Sequence, residues 1–127
     1  MNEIWPALRY DDAPAALKFL TGVFGFSETL VVPGETGDIV HAEIRWPGGG
    51  GVMFSGTAYC AGVHGEIKAG GNAVYVVVSD VDTVYERVRA GAEIADPIAD
   101  TEYGSRAFTA RDTEGNLWTF GTYKGAA

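Results

Sequence analysis

In the stretch HAEIR, His41 and Glu43 are two residues whose types and spacing could do chemistry. Two positions apart on an extended strand, they project to the same side. There an imidazole and a carboxylate can share a proton, which is what a general base acting on a bound ligand needs. The plainer reading is a structural histidine and carboxylate pair, and structural or binding use outweighs catalysis. Arg106 completes the catalytic candidates as a guanidinium that anchors the cleft. His64, in YCAGVHGEIKAG, has no partner at metal-ligand spacing and reads as a solvated loop residue. Cys60 is the sole cysteine, which excludes an internal disulfide and the cysteine-rich zinc arrangements. It reads as a small apolar filler.

These residues sit in a chain of 127, about one ordinary domain, long enough to bury a hydrophobic core. With 46% hydrophobic and 20% charged residues and no apolar run near 18, the composition is that of a soluble globular protein. The N-terminus MNEIWPALRY lacks a basic lead and an apolar signal segment, so the expected location is cytoplasmic. A formal charge of -8 disfavours a nucleic-acid backbone, which asks for clustered Lys and Arg. It suits a neutral or cationic small ligand, and it also serves solubility.

The chain says the same thing twice. ALRYDDAPAALKFLTGVFGF and VYVVVSDVDTVYERVRAGAEI each run from strand through acidic turn to amphipathic helix and a glycine stop, with Asp12 and Asp80 matching 68 residues apart. HAEIRWPGGGGVMFSG and RAFTARDTEGNLWTFG each run strand, glycine-bearing turn, strand, matched at 65 residues through Gly50 and Gly115. Asp12 and Asp80 are expected to cap the two helices. Strands are expected over 4–10, 40–46, 52–55, 74–79, 106–111 and 117–122. The organisation is a single domain, 1–127, made of module 1 (1–56), a connector (57–71) and module 2 (72–124).

With YDDAPAALKFLTGVFGF, VSDVDTVYERVRAGAEI and FTARDTEGNLWTF on the page, the chain resembles the glyoxalase, bleomycin-resistance and extradiol-dioxygenase superfamily, the vicinal oxygen chelate proteins. It looks most like the small branch of PhnB-like and antibiotic-binding resistance proteins. The resemblance implies an α+β fold of two βαβββ modules, a curled mixed β-sheet with a shared concave cleft and helices on the outer face. It also implies a homodimer in which a second subunit helps enclose the cleft. Metal-dependent relatives take ligands from four strands. Those positions map onto Trp5, Phe54, Ala73 and Thr119, which are poor ligands, so no metal and no cofactor are expected.

Taking those positions as facing the cleft, strand alternation predicts a lining of Trp5, Arg9, His41, Glu43, Phe54, Tyr75, Arg106, Phe108, Thr119 and Tyr123. Trp118 is expected in the core. Tyr59 and Tyr103 lie in loops that overhang the cleft in relatives, which makes them candidate lids. The implied function is a metal-free protein that sequesters an aromatic or cationic compound such as an antibiotic. The alternative is a metal-independent enzyme doing lyase or isomerase-type acid-base chemistry in the same cleft. A third reading is an assembly module whose cleft is filled solidly by Trp5, Phe54 and Tyr75.

Overall fold

The structure, a computed structural model, describes residues 2–59 and 62–127; Cys60 lies outside the described residues. Two acidic turns start the helices as predicted. Asp12 accepts a hydrogen bond from the Ala15 amide at 3.1 Å, and Asp80 from the Thr83 amide at 3.2 Å. Each satisfies an amide that the first helical turn leaves free. Helix α1 spans Ala13–Phe19 and continues as one π-helical turn over Leu20–Phe24. Gly25 ends it at φ +95°, and a Cβ there would fall 2.6 Å from the Arg87 guanidinium. Backbone and neighbour alike therefore demand glycine. Helix α2, Val81–Arg89, buries Val81, Val84 and Val88, the stripe its spacing predicts.

Among the described residues eight strands form two four-stranded sheets. The first holds β1 (Ala7–Tyr10), β2 (Ser27–Pro33), β3 (Ile39–Arg45) and β4 (Gly51–Gly56) in the order β1-β4-β3-β2. The second holds β5 (Ala73–Val77), β6 (Ile94–Asp100), β7 (Arg106–Arg111) and β8 (Leu117–Gly121) in the order β5-β8-β7-β6. In each module the opening strand pairs in parallel with the closing one, which a helical crossover permits. The result is the expected α+β arrangement of two βαβββ modules. Among the described residues no helix is long and apolar enough to cross a membrane.

Each sheet turns one face to its helix and leaves the other open. Leu8, Tyr10, Ala42, Ile44, Val52 and Phe54 pack with Ala16 and Leu20; Val76, Phe108, Ala110, Trp118 and Phe120 pack with Val84 and Val88. The helix sides of the two modules then share one core. Phe24 meets Trp118 and Phe120 edge-on at 5.5 and 5.2 Å, and Trp46 lies 5.8 Å from Phe120. A polar clasp reinforces the join. The buried Asp112 carboxylate accepts from Tyr10 Oη across the modules at 2.6 Å, and also from Trp118 Nε1 and Asn116 Nδ2. Glu114 accepts from the backbone amides of Asp11 and Asp12 at 2.7 and 2.8 Å.

Three expected cleft residues face the other way. Phe54 is 1% exposed and edge-on to Tyr10 in the core, and Phe108, also 1% exposed, stacks on Phe120. Arg106 shares the side of Phe108 and bonds Asp82 on α2 and Asp100 on β6 at 3.0 and 3.2 Å. Phe54 was misplaced by a one-residue phase error. The registers Arg45 with Gly51 and Arg111 with Leu117 bracket loops of equal length, so the hairpins match at 66 residues and Gly49, not Gly50, answers Gly115. Four consecutive glycines give an alignment no unique anchor. Phe108 and Arg106 were misplaced because their strand was phased through the same hairpin match.

Candidate functional site

The open face of the first sheet is built by the residues alternate to its core. Parallel pairing of β1 with β4 sets Ala7 beside Met53 and Arg9 beside Ser55, and β3 adds Glu43 beside Met53 and Arg45 beside Gly51. Trp5, just before β1, lays its ring against Gly51, where a Cβ would fall 2.8 Å from it, under the Arg45 guanidinium at 4.6 Å. Its indole N–H donates to Glu3 at 3.2 Å. That bond, with further help from the Gly50 backbone and Arg45, holds the Glu3 carboxyl below its ordinary value. His41 Nε2 and Glu43 Oε2 lie 2.9 Å apart, both half-buried. A hollow of about 570 Å³ opens over Trp5, Glu43, Arg45 and Met53, flanked by Asn2 and Glu3.

The second sheet offers a different surface. Its open face carries Ala73, Tyr75 and Val77 beside Leu117, Thr119 and Gly121, then Ala107 and Thr109. Thr109 and Thr119 join their hydroxyls at 2.8 Å. Tyr75 lies over Gly121, where a Cβ would fall 2.5 Å from its Oη, and donates to the Tyr123 carbonyl at 2.9 Å. Tyr123 meets Tyr103 edge-on at 5.6 Å. Tyr75, Val77 and Tyr123 remain 45, 43 and 43% exposed. A groove of about 350 Å³ runs between the modules, bordered by Ile4, Pro6, Trp46, Val52, Tyr75 and Val77.

Thus Trp5, Arg9, His41 and Glu43 share one open face, while Tyr75 and Thr119 share another with Tyr123 at its end. Phe54, Phe108 and Arg106 belong to neither. The Arg106 guanidinium is held above its ordinary value chiefly by the hydrogen bonds it donates to Asp82 and then to Asp100, so its charge is already answered. Met53, Ser55, Arg45 and Thr109 are open-face residues that sequence reasoning missed; the equal hairpin loops were the signal that would have found them. Tyr59 lies against Gly34 at the β2–β3 turn, and His64 is exposed. At the four positions where metal-dependent relatives coordinate, with Met53 replacing Phe54, stand an indole, a thioether, a methyl and a hydroxyl, a donor set that does not fit a hard divalent ion. Among the described residues no three His, Cys, Asp or Glu side chains gather to hold one.

The fold has close counterparts. The structure of TioX from Micromonospora sp. ML1 superposes with a TM-score of 0.78 at 38% identity, covering 95% of this chain and 98% of that one. TnmS3, an antibiotic binding protein from Streptomyces sp. CB03234, superposes with a TM-score of 0.74 at 17% identity, covering 94% of each chain. The uncharacterized protein Mb0911c of Mycobacterium bovis is 30% identical over 121 residues, 91% of this chain and 80% of its own length. The family model of the Glyoxalase/Bleomycin resistance protein/Dioxygenase superfamily matches residues 4–120, from before β1 to within β8, and the chain belongs to that superfamily.

Proposed function

We propose that this chain binds and sequesters a small aromatic molecule, such as an antibiotic, without a metal ion. The observation that carries the reading is the open face of the second sheet, where Tyr75, Val77 and Tyr123 stay nearly half exposed although a shared core was available to bury apolar surface. Exposed aromatic and apolar groups collected in one place mark a binding surface, and aromatic faces stack on flat rings. TnmS3 supports the fold's capacity to hold such a ligand. The solid-plug reading loses ground, because Phe54 is core and Tyr75 leaves a groove beside it. A homodimer, closing these faces against a second copy, belongs to the same proposal and is checked by sedimentation equilibrium.

A panel of planar aromatic compounds, followed by thermal shift and calorimetry, tests the reading. Binding with the compound recovered unchanged by mass spectrometry is expected, and Tyr75→Ala should weaken it about tenfold, the loss of one stacking contact of about 1.4 kcal/mol. No binder in the panel would sink the proposal. Protein dialysed against a chelator should keep its affinity; a stoichiometric metal lost together with binding contradicts the metal-free part.

The 2.9 Å contact of His41 with Glu43 favours a second reading, a metal-independent enzyme using His41 as general base. It requires consumption of the bound compound, abolished by His41→Ala. Unchanged compound over long incubation decides against it.

A further inference from the structure

Three arginines reach the open faces, and two are answered by carboxylates. Arg45 meets Glu3 at 3.4 Å and Arg111 meets Glu93 at 2.8 Å. Arg9 differs. Its Nη1 donates to the Gly65 carbonyl and its Nη2 to the Thr57 carbonyl, each at 3.3 Å, while its buried Nε has no hydrogen-bond partner. Among the described residues no carboxylate pairs with it. Scarcity is not the reason, because the chain has 17 Asp and Glu against nine Lys and Arg. The nearby Asp11 is drawn instead to the Thr57 hydroxyl at 3.0 Å. Elsewhere Arg89 and Arg106 have carboxylates, and Arg87 donates to the Phe24 carbonyl at 2.6 Å.

A guanidinium kept among two long neutral contacts, with one buried donor unmatched, is under-satisfied. We propose that Arg9 is the anion-recognising residue of the open face, and that the ligand carries an ionised oxygen, a carboxylate or an acidic phenol, attached to its aromatic ring. The inference rests on the aromatic-binding reading above, with the proposed homodimer bringing the first sheet's face of one copy, where Arg9 stands, over the second sheet's face of the other, and it narrows the ligand class. Charge-assisted bonds to an oxyanion are shorter and stronger than bonds to an amide carbonyl, and the planar fork of arginine matches a carboxylate in two places. The anion therefore displaces the Thr57 and Gly65 carbonyls. Ser55, beside Arg9 on β4, stands ready as a neutral donor. Glu43 does not compete, because it faces His41. The net charge of -8 repels free anions, so the aromatic part of the ligand supplies the rest of the affinity.

The test uses matched pairs of probes: the carboxylic acids and the carboxamides of naphthalene, quinoline and anthracene, titrated at pH 7.5 by calorimetry. The acids should bind at least tenfold more tightly than their amides. Arg9→Gln should abolish that preference, leaving acid and amide of each pair with equal affinity, and Arg9→Lys should keep part of it. Equal affinities in the wild-type protein, or a preference that survives in Arg9→Gln, overturns the anion assignment and leaves aromatic binding standing. Failure of every acid and amide to bind overturns both. Should Arg9→Gln not fold, the wild-type pairs and Arg9→Lys decide the matter.

Discussion

Asp112 shows how much a single side chain can organise. Its carboxylate accepts from the amides of Glu114 and Asn116, from Asn116 Nδ2 and Trp118 Nε1, and from the Tyr10 hydroxyl of the other module. Burial, then the charge of Asp112, holds the Tyr10 phenol far above its ordinary value. Folded Tyr10 thus keeps its proton where an unfolded tyrosine releases its own, at about pH 10. Stability from this group is complete below that pH and falls as pH rises beyond it, by about 1.4 kcal/mol per unit. Tyr10→Phe should cost about 1–2 kcal/mol at pH 7, and the deficit should narrow between pH 10 and 11 because phenylalanine has no proton to lose. Urea denaturation at the two pH values checks this; a deficit that stays constant refutes it.

The helices and their caps were legible because capping is local. Asp12 and Asp80 bond amides three residues ahead, a distance that any short window of sequence contains. Asp80, its carboxyl held below the ordinary value first by the Thr83 hydroxyl, caps the Thr83 amide, and Asp80→Ala should lower the urea midpoint. Gly25→Ala should cost more, about 1–2 kcal/mol, since it adds a Cβ in the left-handed region and pushes on Arg87. A Gly25→Ala midpoint equal to wild type would show that the α1 terminus relaxes freely. β2 and β6 were the strands without a readable signature. Both are sheet edges, both contain proline, at Pro33 and Pro97, and both are largely exposed, so no apolar alternation marks them.

Across the molecule, Phe24 is one of the residues that join the modules, with its ring against Trp118 and Phe120 and no exposure. Phe24→Ala should cost about 3–5 kcal/mol, and thermal unfolding of the wild-type chain should follow one transition by both near- and far-ultraviolet dichroism. Two separated transitions would mean that the modules unfold independently. The asymmetry between open faces also emerges only here: the first sheet presents Arg9, Glu43 and Arg45, the second Tyr75, Val77 and a threonine pair.

The sequence by itself determined the twofold repeat, the capped helices, the placing of Trp118 in the core and the pairing of His41 with Glu43. Each depends on residues a few positions apart or on a pattern repeated whole. Only the tertiary structure decided that Phe54, Phe108 and Arg106 turn toward the helices and that Met53 and Ser55 face outward. A strand has a period of two, so an error of one residue in matching the PGGGG and DTEGN turns reverses the two faces, and hydrogen-bond register across strands distant in the chain is what fixes that phase.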